Sequence, residues 1–224
     1  DPNLSQLIAS GEQKLNELRS INTDWFKELI RNNLYQKHNV SIRGGSEQTT
    51  YYISANYTKQ GGRLPGNDKQ RMSLRMNLDQ KLGHIGYALL SVNGGYAKTN
   101  TPNGSTSDPT QLVYELNPYE TKDGGELISY PGRTYKDLMN QFSQESAAKT
   151  AGISGSLTLN PLPGLDIAAV AGLDFLLDET EQFTPSTSYS EMTSGIPELK
   201  RGIFAKSKNT TTNISTNIRA TYNH

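Results

Sequence analysis

The sequence predicts an all-β chain, an antiparallel up-and-down meander preceded by a short helical connector. Three observations carry that prediction. From residue 36 onward apolar and polar residues alternate with a period of two, as in strands with one polar and one apolar face. Glycine (20), tyrosine (12) and abundant Asn, Ser and Thr favour sheets and turns over helices. No run of about 18 apolar residues occurs, so no transmembrane helix is encoded, whereas barrel strands need only about 10 alternating residues.

Composition also narrows the function. Across 224 residues, Lys plus Arg and Asp plus Glu are equal at 22 each. No overall charge field therefore argues for nucleic acid or an anionic membrane surface, and no nucleic-acid partner is expected. The absence of cysteine rules out a disulfide framework and thiolate metal sites. No signal peptide opens the chain, so a processed or excerpted segment is expected.

Residues 1–33 form the helical connector. Leu4, Leu7, Ile8, Leu15 and Leu18 recur near helical spacing, interrupted by Gly11, and Trp25, Phe26, Leu29 and Ile30 make a second apolar cluster. Both read as short helices or connectors. Residues 34–224 carry about seven strands, expected at 37–43, 48–58, 69–82, 84–98, 149–160, 165–178 and 203–222.

The connections are as informative as the strands. Residues 44–47, a turn around Leu82-Gly83, and 161–164 are short; 59–68, 99–148 and 179–202 are longer. The two classes alternate. In a meander, alternate connections emerge at opposite ends of the sheet, so all short turns lie at one end and all long loops at the other. Outer-membrane barrels show that asymmetry, as do some soluble sandwiches.

The strand faces differ sharply. Met72, Leu74, Met76 and Leu78 share one face of the third strand, and Arg71, Ser73, Arg75, Asn77 and Asp79 share the other. An Arg turned toward lipid near the midplane would cost roughly 2–4 kcal/mol, so the Met/Leu face must meet hydrocarbon or a core. In the sixth strand Leu165, Ile167, Ala169, Ala171, Leu173, Phe175 and Leu177 alternate without a break. At about 3.4 Å per residue and a tilt near 45° that stripe rises roughly 30 Å, the thickness of a hydrocarbon core. Tyr57, Tyr96 and Tyr222 fall near stripe ends, where an aromatic girdle would place them.

Catalytic and metal chemistry has no candidate residues here. His38, His84 and His224 show no metal-ligand spacing. No Gly-x-Ser-x-Gly elbow occurs, and "GGRLPGND" lacks the Lys-Ser/Thr of a phosphate loop. Asp178, Glu179 and Glu181 could offer oxygen ligands to calcium, but at a strand end they read as a solvated loop entrance. Neither a cofactor nor an enzymatic activity is expected. In the long loop, Tyr114, Tyr119, Tyr130 and Tyr135 interleave with polar residues and Arg133. Such aromatic faces with hydrogen-bonding neighbours suit a ligand or partner loop for sugar or peptide.

A set of residues here resembles a known family. Asn22-Thr23-Asp24-Trp25, His38-Asn39 before Gly44-Gly45-Ser46, the pair Tyr51-Tyr52, then Tyr57, Gly62, Arg71 and Asn77-Leu78-Asp79 together resemble the start of the barrel in SusC/RagA-type TonB-dependent transporters of Bacteroidetes. Asn117-Pro118-Tyr119 with Asp123-Gly124-Gly125 is similar to part of an external loop of that family, and Leu162-Pro163-Gly164-Leu165 to a periplasmic turn. The resemblance implies a segment of a large, plugged transmembrane β-barrel of the class with 22 strands. It also implies an outer-membrane location, a plug and a TonB-contacting segment upstream, a SusD-like surface lipoprotein partner, and import of oligosaccharide or peptide. Arg71, Arg75 and Asp79 would then face the lumen, and 99–148 and 179–202 would be external loops. A different class, a soluble β-sandwich carbohydrate-binding module, accounts for the strands and loops without a membrane.

Overall fold

The computed structural model describes residues 2–64, 66–102, 109–139 and 142–223. Seven strands run in sequence order: β1 (Tyr35–Gly45), β2 (Thr49–Gly61), β3 (Asp68–Lys81), β4 (Gly86–Thr101), β5 (Ser143–Leu162), β6 (Leu165–Thr184) and β7 (Ile203–Tyr222). They form one sheet, ordered β1 to β7, in which every neighbouring pair is antiparallel. Among the described residues the meander is unbroken, and its two outer strands each have a single neighbour.

Turn chemistry sets the tight end. Pro163-Gly164 joins β5 to β6, with Leu162 paired to Leu165 and Gly164 at φ 84°. A proline with fixed φ followed by a positive-φ glycine is what a type II turn requires. At the β1–β2 turn Gly45 has φ 148°, and a Cβ there would lie 2.1 Å from the Thr49 carbonyl oxygen; only glycine fits. Gln48 and Thr49 donate backbone N–H groups to the Ser46 hydroxyl.

β4, β5 and β6 run further toward the loop end than the alternation of apolar residues predicts. β4 reaches Thr101, β5 begins at Ser143 and β6 ends at Thr184. Polar cross-strand pairs carry the ladder there: Gln182 donates to Gln144 at 3.2 Å, and the Ser146 and Thr180 hydroxyls lie 3.3 Å apart. Hydrophobic pattern ends before backbone pairing does, which shortens the expected 99–148 and 179–202 loops. His84 lies in a turn, because Leu82 N–H donates to the Gly86 carbonyl at 2.8 Å and closes it.

The N-terminal region also differs from expectation. One continuous helix, α1 (Pro2–Arg19), runs through Gly11. An interior glycine costs about 1 kcal/mol relative to alanine, which weakens a helix without ending it, and proline suits the first helical position. α2 (Trp25–Leu29) is capped by Asp24, whose side chain accepts from Lys27 N–H at 3.2 Å.

The buried apolar core lies outside the sheet. Trp25 and Leu29 of α2 pack with Leu112, Leu116, Leu127 and Leu138 from the β4–β5 connection, which contains α3 (Pro109–Glu115) and α4 (Tyr135–Met139). The β6–β7 connection carries α5 (Tyr189–Thr193). A sandwich would cover one sheet face with a second sheet. Among the described residues there is one sheet, and stripe residues such as Ile42 (60% exposed) and Ile214 (77%) have no layer over them.

Candidate functional site

Cross-strand register shows what each face presents. Ile42, Ile53, Met76, Val92, Ile153, Leu173 and Ile214 are successive partners across all seven strands. One residue along each strand lies the opposite row: Ser41, Ser54, Arg75, Asn93, Gly152, Asp174 and Asn213. Successive side chains point to opposite faces, so a fully apolar row backs onto a fully polar or glycine row.

The apolar face has a sharp boundary at the long-loop end. Tyr57, Met72 and Tyr96 are partners in one row, and the His38 ring stacks on Tyr57 with centroids 6.2 Å apart. Immediately beyond are ion pairs. Lys98 meets Glu145 at 2.7 Å, Lys149 and Lys208 meet Glu179 at 3.2 and 3.6 Å, and Lys206 pairs with Glu181. Glu179 and Glu181 thus complete a charged belt. Tyr222, paired with Leu165, marks the other end.

Arg71, Arg75 and Asp79 all lie on the polar face. Arg71 and Arg75 line an open cavity of about 570 Å³ with Tyr52, Ser54 and Asn93. Asp79 lines a neighbouring cavity of about 420 Å³ with Asn77 and Ser91, and accepts a hydrogen bond from the Thr50 hydroxyl at 3.1 Å. Asp174 leans over Gly152, where an added Cβ would sit 2.6 Å from its carboxylate oxygen.

The five loop candidates divide by role. Tyr135 stacks on Trp25, and burial raises its hydroxyl's pKa above the ordinary tyrosine value. Tyr130 packs against the Leu cluster and donates its hydroxyl to Glu115. Arg133 shapes the turn through its backbone: its N–H donates to the Tyr130 carbonyl, and its own carbonyl accepts from Leu127 N–H at 2.7 Å. Tyr114, 87% exposed, and Tyr119 face solvent. Three of the five shape the loop, and two remain displayed.

Sequence reasoning missed what holds this loop to the N-terminal segment. The Trp25 indole N–H donates to the Asn117 carbonyl at 2.8 Å, Thr23 N–H donates to the Pro118 carbonyl at 2.8 Å, and the Thr23 hydroxyl donates to the Glu120 carbonyl at 2.5 Å. The buried Glu120 carboxylate accepts from the Asn117 and Ser129 N–H groups at 2.7 and 2.6 Å and from the Ser129 hydroxyl at 2.9 Å. Lys122 pairs with Glu28, and that hydrogen bond raises the ammonium's pKa. Both partners, Asn22-Thr23-Asp24-Trp25 and Asn117-Pro118-Tyr119, are legible motifs, but nothing local links them.

Among the described residues no three of His, Cys, Asp and Glu converge as metal ligands; His224 lies outside those residues.

No protein-family model matches the chain. It is similar to the TonB-dependent receptor SusC of Bacteroides thetaiotaomicron, 28% identical over 123 residues, covering 51% of this chain and 12% of that protein. The TonB-dependent receptor P26 of Formosa agariphila is 30% identical over 100 residues, covering 42% and 10%. P3 of the same organism is 28% identical over 117 residues, covering 52% and 11%. The chain thus spans about a tenth of the length of the curated relatives it matches. Among solved structures, the RagAB peptide importer in its closed-closed state superposes with a TM-score of 0.68 at 20% identity, covering 90% of this chain and 23% of that one. A RagAB peptide transporter structure gives 0.61 at 22% identity, covering 74% and 20%.

Proposed function

We propose that this chain, a SusC/RagA-type barrel segment by sequence likeness and by fold, is part of the wall and outer loops of a TonB-dependent transporter importing oligosaccharide or peptide fragments across the bacterial outer membrane. The observation that carries this reading is the pair of opposed rows centred on Leu173 and Asp174, with the apolar side ending at an ion-paired belt. Such a face is stable against hydrocarbon, and its back is stable against water.

Physical constraints supply the rest. An unpaired strand edge is not tolerated in hydrocarbon, so β1 and β7 must be paired by further strands of a closed barrel. β1 enters at the long-loop end, because Tyr35 pairs with Gln60. That end is the external one in this reading, so the connector of residues 1–33 lies outside with the loops. A SusD-like surface lipoprotein and the loops displaying Tyr114 and Tyr119 would capture ligand. A plug moved through TonB would open the lumen, whose wall includes Arg71, Arg75 and Asp79. The chain serves as a wall and performs no catalysis.

Because the chain has no cysteine, single cysteines can be introduced into the full-length protein at 172–176. Expected is alternation: membrane-partitioning maleimide labels positions 173 and 175, and a charged, water-soluble one labels 172, 174 and 176. Uniform labelling by the water-soluble reagent would overturn the reading.

A further inference from the structure

The polar face is divided electrically. Lys37 on β1 and Arg71 on β3 both take Thr58 of β2 as register partner, and Lys69 and Arg75 take Gln60 and Ser54. Arg71 lines two cavities at once, the larger with Arg75 and an adjoining one of about 280 Å³ with Lys37 and Lys69. Among the described residues none of these four cations forms an ion pair or a side-chain hydrogen bond. The opposite face differs: Lys98, Lys149, Lys206 and Lys208 each meet a glutamate.

Acids lie elsewhere on the polar face. Asp178 and Asp174 occupy the same rows as Arg71 and Arg75 but on β6, three strands away, or about 14 Å. Ala97 and Ala148 separate the first pair, and Asn93 and Gly152 the second. Asp79, the acid on the polar face of β3, is two rows from Arg75 and is engaged by Thr50. A cleft lined by charge of one sign concentrates ions of the other, and the guanidinium fork matches a carboxylate bidentately.

We propose that Lys37, Lys69, Arg71 and Arg75 form an oxyanion-binding wall that takes the carboxylate of a ligand in the lumen, while Asp174 and Asp178 receive its cationic end. The proposal rests on the lumen reading above and names its substrate class, a short peptide with free termini. Four extended residues span about 14 Å at roughly 3.4 Å each, so a tetrapeptide reaches from one wall to the other. A neutral oligosaccharide would leave both walls uncompensated. An acidic segment of the protein's own plug offers the same carboxylate chemistry, and the test separates the two.

The full-length protein in detergent is incubated with a pool of randomised tetrapeptides as free acids and with the same pool amidated at the C-terminus; retained peptides are quantified by mass spectrometry. The free-acid pool should be retained roughly tenfold over the amide. R71Q/R75Q should abolish that preference and R71K/R75K should keep most of it, with unchanged thermal unfolding in both. Equal retention of the two pools by the unmodified protein, or a preference surviving in R71Q/R75Q, overturns the proposal. Retention of neither pool, with alternating cysteine labelling intact, also overturns it and leaves the barrel reading standing. If R71Q/R75Q lowers both pools equally and opens the plug to protease, the cations hold the plug and the ligand site is refuted.

Discussion

Trp25 stacks on Tyr135 with ring centroids 5.6 Å apart and planes inclined by 21°, while its indole N–H reaches the Asn117 carbonyl. One side chain thereby ties the segment ahead of β1 to the β4–β5 connection. Trp25→Ala empties the centre of the Leu cluster and should cost that unit about 3–5 kcal/mol. Hydrogen exchange within residues 109–139 should accelerate while β2 to β6 stay protected. Acceleration spread evenly over the strands would contradict a separate loop core.

Glu120 is the polar counterpart of that core. Its carboxylate satisfies two backbone N–H groups and one hydroxyl while buried. Glu120→Ala leaves those donors without a partner, at about 1–3 kcal/mol for each that water cannot reach. Limited proteolysis should then cut between residues 116 and 130 at a protease dose that spares the parent protein.

The two faces make opposite predictions for neighbouring residues. Met76 belongs to the central apolar row and Asn77 to the polar face. Met76→Arg should destabilise the assembled barrel by roughly 2–4 kcal/mol, and Asn77→Arg should be near neutral. The folded fraction in outer-membrane extracts, read by heat-modifiable gel mobility of the full-length protein, distinguishes them. Equal losses would mean the faces are misassigned.

Asp137 gives the loop a pH response. Its carboxylate accepts from the Thr134 N–H at 2.9 Å and hydroxyl at 2.8 Å, which lowers its pKa below the ordinary 3.8. A depressed folded value means the ionised form favours folding. That stability is complete above the unfolded value and is lost as pH falls through the folded one. Exchange at residues 134–139 should therefore quicken below about pH 4, and Asp137→Asn should be faster at neutral pH with a flatter pH dependence.

How much was legible follows from the range of each interaction. The alternation Met72, Leu74, Met76, Leu78 against Arg71, Ser73, Arg75, Asn77 locates β3 and both its faces, because a strand's facing is a property of adjacent residues. Pro163-Gly164 announces its turn for the same reason. Strand ends at the belt were not legible: past Leu177 the stripe stops, and the ladder continues through polar pairs such as Glu179 with Lys149 and Lys208 and Gln182 with Gln144. The loop tyrosines looked alike in sequence, and their separation into packed Tyr130 and Tyr135 and displayed Tyr114 and Tyr119 depends on where the chain folds back.

Sequence by itself determined that this protein is a meander of two-faced strands with its short turns at one end, since period-two alternation and turn residues act over a few positions. Only the tertiary structure decided that Trp25 meets Asn117, 92 positions away, that Glu120 is buried, and that four cations gather on β1 and β3 with two acids on the same face of β6. Those arrangements require closing long loops and setting a register across the sheet, and no local pattern encodes either.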